Sequence, residues 1–132
     1  MLRRDYILRL IEEAARLLAE AMDLIDKNDP ENAEIMIRKT HELIKADPHW
    51  YDLKLTDLIR QMELAGFDYD QMEIVADLLN VESSLLEVKQ QEDQAFQYLI
   101  KSIAILEYID QYSPTFSFSR NQKINTLRDR LN

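Results

Sequence analysis

At 132 residues the chain is long enough for one domain with a buried core. Apolar residues make up 46% of it and charged residues 31%, a globular balance, while one Gly and three Pro leave no glycine-rich phosphate loop and too few turn formers for an all-β sandwich. The absence of Cys excludes disulfides, thiolate zinc sites, iron–sulfur clusters and a cysteine nucleophile.

The net charge of −9 argues against nucleic acid, since phosphate binding needs a basic surface. That charge is uneven. Residues 61–112 carry 2 basic against 11 acidic groups, whereas residues 113–132 carry 4 basic against 1 acidic. An acidic face that attracts a basic partner segment is one reading, and a self-repelling, solvated surface is the other. Arg9, Glu12, Glu13 and Arg16 interrupt the apolar stretch near the start, so no signal-peptide core or membrane span is expected. The expected compartment is the cytoplasm.

The first helix is expected from about Asp5, as its cap, to Lys27. Ile7, Ile11, Ala14, Leu18, Ala21 and Ile25 step by four and three along one face. Asn28-Asp29-Pro30 is a stop–start signal, and a second helix follows to about Ala46, with Ala33, Ile37, Thr40 and Ile44 inside. A short aromatic-rich connection, His49 to Lys54, leads to a third helix capped by Thr56, carrying Leu58, Ile59, Met62 and Leu64 and closed by Gly66. Asp68 or Asp70 opens a fourth helix. The fifth, about Glu92 to Tyr112, is apolar nearly all round, which predicts a central place in the core. Phe116 and Phe118 are expected to dock onto that core, and Ser119 to cap a last helix with Ile124, Leu127 and Leu131. The reading is one all-α domain of about six helices: a pair over 5–46, a short helix at 56–65, a pair over 70–112 and a last helix at 119–131.

A shift of 62 residues superimposes the two pairs. Ala14 meets Ala76, Leu17 meets Leu79, Glu20 meets Glu82, Ala21 meets Ser83, Ala33 meets Ala95, Ile37 meets Leu99, and Thr40 meets Ser102. Small residues at such positions let two helices cross closely. This pattern resembles the tetratricopeptide repeat, a 34-residue helix–turn–helix. Neither copy has that repeat's opening Trp, its Gly or its first-helix Tyr, and a short helix intervenes, so a regular array is not expected. The opening Arg3-Arg4-Asp5-Tyr6-Ile7-x-Arg9-x-Ile11-Glu12-Glu13 resembles that of a small family of uncharacterised bacterial proteins, which implies a bacterial source and brings no catalytic residues.

The tetratricopeptide resemblance implies partner binding on a concave face lined mainly by first helices. Carried over by position, the groove stripe is Ala15, Leu18, Met22 and Ile25 in the first copy and Asp77, Asn80, Ser84 and Glu87 in the second. The second set is polar enough to contact a peptide. The first is wholly apolar, to be buried within the chain or by a partner such as a second copy in a homodimer.

Catalytic chemistry finds little support. Arg38 stands where a di-iron Glu-x-x-His would need Glu, and Lys45 where a zinc-protease helix would need its second His. Asp47, His49 and Asp52 are a remote ion-binding set. His41-Glu42-Leu43-Ile44-Lys45 resembles a histidine phosphotransfer segment, with Ala46 in place of the usual Gly; there an exposed His would be phosphorylated. The expectation is therefore a non-catalytic module without metal or cofactor that binds a protein or peptide, and neither nucleic acid nor membrane. A structural homodimer through helix 1 and a phosphotransfer bundle using His41 are the alternatives.

Overall fold

A computed structural model describes residues 3–132. They form six α-helices, α1 (Arg3–Asp26), α2 (Pro30–Ile44), α3 (Leu55–Leu64), α4 (Tyr69–Val88), α5 (Glu92–Tyr112) and α6 (Phe118–Leu131), with a 3₁₀ turn at Pro48–Asp52 and no strand among them. The protein is all-α, as its composition and periodicity predict.

Helix α1 packs on α2, and α4 on α5; α4 then lies against both α1 and α2, joining the two pairs. Helix α6 packs on α5, and α3 rests on the 3₁₀ turn and α5. The eight small residues aligned by the 62-residue shift are all fully buried: Ala14, Ala21, Ala33 and Thr40 in one pair, Ala76, Ser83, Ala95 and Ser102 in the other. In the second pair the serines also tie the helices together. Ser83 Oγ donates to the Ala95 carbonyl at 2.7 Å and Ser102 Oγ to the Ala76 carbonyl at 2.6 Å. Both hydroxyls are thereby satisfied at a crossing too tight for a larger side chain.

The turn inside each pair is repeated as well. Asn28 and Gln90, 62 residues apart, both take the left-handed conformation, with φ of 61° and 63°. Asp29 N donates to the Leu24 carbonyl as Gln91 N does to that of Leu86, so the same six-to-one closure ends α1 and α4. Asp29 caps α2, its side chain accepting from Asn32 N, and Pro30 takes the first helical position. Asp68 opens α4 in a reciprocal capping box with Gln71.

Several expectations need correction. Asp5 lies in the first turn of α1, which already starts at Arg3. Lys54, without a side-chain cap, precedes α3, so Thr56 is inside the helix, and Leu64 at its end is exposed. Ser117, not Ser119, caps α6 by accepting from Arg120 N. The central helix is α4, which packs against α1, α2 and α5; α5 leaves Phe96, Ile100 and Tyr112 exposed. Phe116 and Phe118 do not dock onto the core. They are 74% and 66% exposed.

Candidate functional site

The two halves of the expected groove stripe meet different fates. On α1, Leu18 and Ile25 are buried within the chain, Met22 is partly covered, and only Ala15 is exposed. Most of this apolar face is therefore covered within the chain. On α4, the polar set extends one turn earlier to Glu73, and α6 lies along it. Lys123 Nζ donates to Glu73 Oε2 at 2.6 Å and to Asp77 Oδ2 at 3.1 Å. Arg130 donates to Asn80, and to Glu87 Oε1 at 3.0 Å. Ser84 is partly buried beside them. The basic segment that the acidic stripe attracts is the chain's own last helix.

That pairing leaves a cleft of about 600 Å³ between α1, α4, α6 and the 113–117 connection. Ala15 and Asp77 both line it, with Ile11, Tyr69, Glu73 and Lys123. At its edge Arg4 bridges Asp68 and Asp70 at 3.2 and 2.9 Å. On the α6 side Arg120 is buried, its Nε donating to Asp110 Oδ1 at 2.5 Å and its Nη2 to the Thr115 carbonyl at 3.2 Å, while Nη1 lies 3.6 Å from Glu73. Burial pushes the Asp77 carboxyl up to about 6, against the pull of Lys123. Burial lowers the Lys123 ammonium, but Asp77 and Glu73 outweigh it and hold it above its ordinary value. Phe116 stands between Thr115 and Ser117, which line the cleft, and Phe118 begins α6; both rings are exposed outside it.

A second cleft, of about 550 Å³, lies between α2 and the C-terminal half of α4. His41 and Glu82 line its floor, Ile37, Leu85 and Leu86 its walls, and Lys89 pairs with Glu34 at its mouth. His41 is only 6% exposed, and both of its ring nitrogens are buried without a hydrogen-bond partner. Its Nε2 stands 3.7 Å from Glu82 Oε2, which is also without a partner. The Tyr51 hydroxyl is the fourth such atom, on a ring 5.4 Å from that of His41. Tyr51 in turn packs edge-on against Tyr98, with ring centroids 5.7 Å apart. Burial and then the Glu82 charge hold the Tyr51 hydroxyl well above its ordinary range; burial, then Asp52 and Glu82, raise Tyr98.

This burial removes the premise of phosphotransfer, because neither nitrogen of His41 is open to a phosphodonor. Nor do Asp47, His49 and Asp52 gather around an ion: Asp47 accepts from the His49 backbone N–H, and Asp52 lies beside Tyr98. Among the described residues no group of three or more His, Cys, Asp or Glu is placed to hold a metal, and no helix is long and apolar enough to cross a membrane.

Sequence reasoning missed Glu73, Arg120 and Lys123 in the first cleft and Tyr51 and Glu82 in the second. For the first a signal was present. Glu73, Asp77, Asn80, Ser84 and Glu87 step by four and three, and Arg120, Lys123, Leu127 and Arg130 step by three and four, so two helical stripes of opposite charge match in period. For the second, the signal is a polar residue at a core position: His41 stands 62 residues before the buried Ile103. No protein-family model, curated protein or solved structure matches this chain.

Proposed function

We propose that the protein is a non-catalytic interaction module built on tetratricopeptide-like helix pairs, which binds a protein or peptide partner at the α1/α4/α6 cleft. The observation that carries this reading is the exposure of Phe116 and Phe118, in and just after the connection whose Thr115 and Ser117 line a charged cleft. Two neighbouring, mostly exposed Phe side chains leave apolar surface that a partner would cover. The fixed charges behind them, Arg4, Asp70, Glu73 and Lys123, would then set orientation and encounter rate more than affinity. Further support for the repeat comes from the eight small residues at the crossings and the duplicated turn at Asn28 and Gln90. A homodimer through helix 1 is not favoured, because Leu18 and Ile25 are already covered within the chain.

The test is site-specific photo-crosslinking in cells, with a photoreactive phenylalanine analogue at Phe116 and, as a control, at exposed Glu31. A discrete adduct from position 116 is expected, competed by excess wild-type chain and not by the Phe116→Ala, Phe118→Ala variant. An absent adduct, or the same adduct from position 31, overturns the proposal. An adduct of twice the chain mass identifies the partner as a second copy.

A further inference from the structure

The α2/α4 cleft holds a different kind of feature from the groove. Of four buried polar atoms with no partner, three belong to His41 and Glu82, which line it, and the fourth is the hydroxyl of Tyr51, packed behind His41. Buried polar groups are ordinarily hydrogen-bonded, and a buried charge is ordinarily paired. Glu82 breaks the second rule. No lysine or arginine pairs with it among the described residues, and its neighbours are His41 and two tyrosines. The nearby Lys101 spends a donor on the Tyr51 carbonyl. At the mouth the charges balance: Lys89 is tied to Glu34, and Arg38 stands one helical turn from Glu42 on α2. The floor is therefore negative under a neutral rim. The Glu82 side chain keeps 23% exposure and lines the cleft, so a ligand that enters can reach it.

From this juxtaposition we infer that the α2/α4 cleft is a binding site for an aliphatic ammonium group. The ammonium donates to the exposed edge of the Glu82 carboxylate, whose buried Oε2 is turned to His41. The alkyl stem lies along Ile37, Leu85 and Leu86, and the aromatic wall of Tyr98 faces the cation. A volume of about 550 Å³ suits a single extended chain with its flanking atoms. The overall charge of −9 draws cations toward the surface. Two sources supply this chemistry: a free alkylamine, or the lysine side chain of a polypeptide. The site stands apart from the α1/α4/α6 cleft and does not depend on a partner binding there.

The experiment is a titration of the folded, ¹⁵N-labelled chain followed by amide chemical shifts. The probes are n-butylamine, 1-butanol, butyrate and Nα-acetyl-lysine methylamide. Saturable shifts at the amides of Ile37, His41, Leu85 and Leu86 are expected with butylamine, with at least tenfold weaker response to butanol and butyrate. Glu82→Gln weakens butylamine binding at least tenfold, whereas the rim variant Glu42→Gln leaves it unchanged; circular dichroism checks that both remain helical. Binding of the lysine derivative as well as butylamine assigns the site to a polypeptide lysine, and binding of butylamine alone assigns it to a free amine. Equal response to butylamine and butanol on the wild-type chain overturns the inference, as does the absence of saturable shifts. Either result means that His41 and Glu82 serve only each other.

Discussion

Asp77→Asn is a substitution whose sign separates a costly buried charge from a stabilising ion pair. The Asp77 side chain is 25% exposed, lies 3.1 Å from Lys123 and shares that lysine with Glu73. Its carboxyl titrates at about 6 in the folded chain against 3.8 for the free side chain. The folded state thus holds the proton more tightly than the unfolded state. Between roughly pH 4 and 6 folding takes up a proton, and stability falls as pH rises through that window. Below it Asp77 is protonated in both states and the penalty vanishes. At about 1.36 kcal/mol per pH unit, the full rise amounts to about 3 kcal/mol above pH 7. Partial exposure reduces this to about 1–3 kcal/mol. Asn mimics the protonated carboxyl, and Lys123 keeps Glu73 at 2.6 Å. The variant is therefore expected to be about 1–3 kcal/mol more stable than wild type at pH 8 and equal to it near pH 4. Urea denaturation of both chains at steps from pH 4 to 8 measures the difference. A variant less stable at pH 8, or a difference that ignores pH, would refute the reasoning and make the Lys123–Asp77 pair a net stabiliser.

Two further substitutions test the frame around the clefts. Gln90→Gly relieves a left-handed non-glycine residue, and the strain removed exceeds the entropy glycine adds to the unfolded chain, so thermal or urea unfolding should show a gain of about 0.5–1 kcal/mol. Asn28→Gly in the equivalent turn should gain less, because Asn tolerates that conformation, and equal gains would refute the strain argument. Arg120→Met removes the buried guanidinium that joins Asp110, Glu73 and the Thr115 carbonyl and should cost about 3–5 kcal/mol in urea unfolding. Adding Asp110→Met should recover part of that loss, and a double variant no better than the single one would place the cost in packing instead of the orphaned charge.

Much of the fold was legible because local signals and the 62-residue correspondence agree. Asp29-Pro30 sets the start of α2 through one side-chain cap and one fixed φ, and Asp68 with Gln71 does the same for α4. The 62-residue shift located the tight crossings because a crossing leaves room only for Ala, Ser or Thr, and the same shift relates the left-handed Asn28 and Gln90. What failed depended on the order of packing. Helix α5 reads as apolar all round, yet α4 is central, since α4 packs against both members of the first pair as well as α5. Apolarity along one helix does not say how many neighbours will cover it. Phe116 and Phe118 looked like core residues by type, but between Pro114 and the Ser117 cap the chain turns away from the core.

The two clefts were hidden in unequal degree, and the difference is physical. The α4–α6 face is an electrostatic match between two periodic stripes, so a charge count over residues 61–112 and 113–132 already contains it; only the inference that the two halves of one chain would serve each other was missing. The His41 site depends on three residues from three elements, α2, the 3₁₀ turn and α4, brought together by the packing of α2 on α4. No spacing links positions 41, 51 and 82. The 62-residue correspondence nevertheless marks them as unusual. In the second copy the place of His41 is taken by buried Ile103, and in the first copy the place of Glu82 is taken by exposed Glu20, which pairs with Arg16 at 3.3 Å. A fold that needed only packing would carry an aliphatic residue at 41 and would leave the acid at 82 facing water. Holding both polar groups inside works against stability. That cost is offset once a donor reaches the Glu82 carboxylate, which is why the charge selectivity of the α2/α4 cleft discriminates more sharply than any measurement of stability.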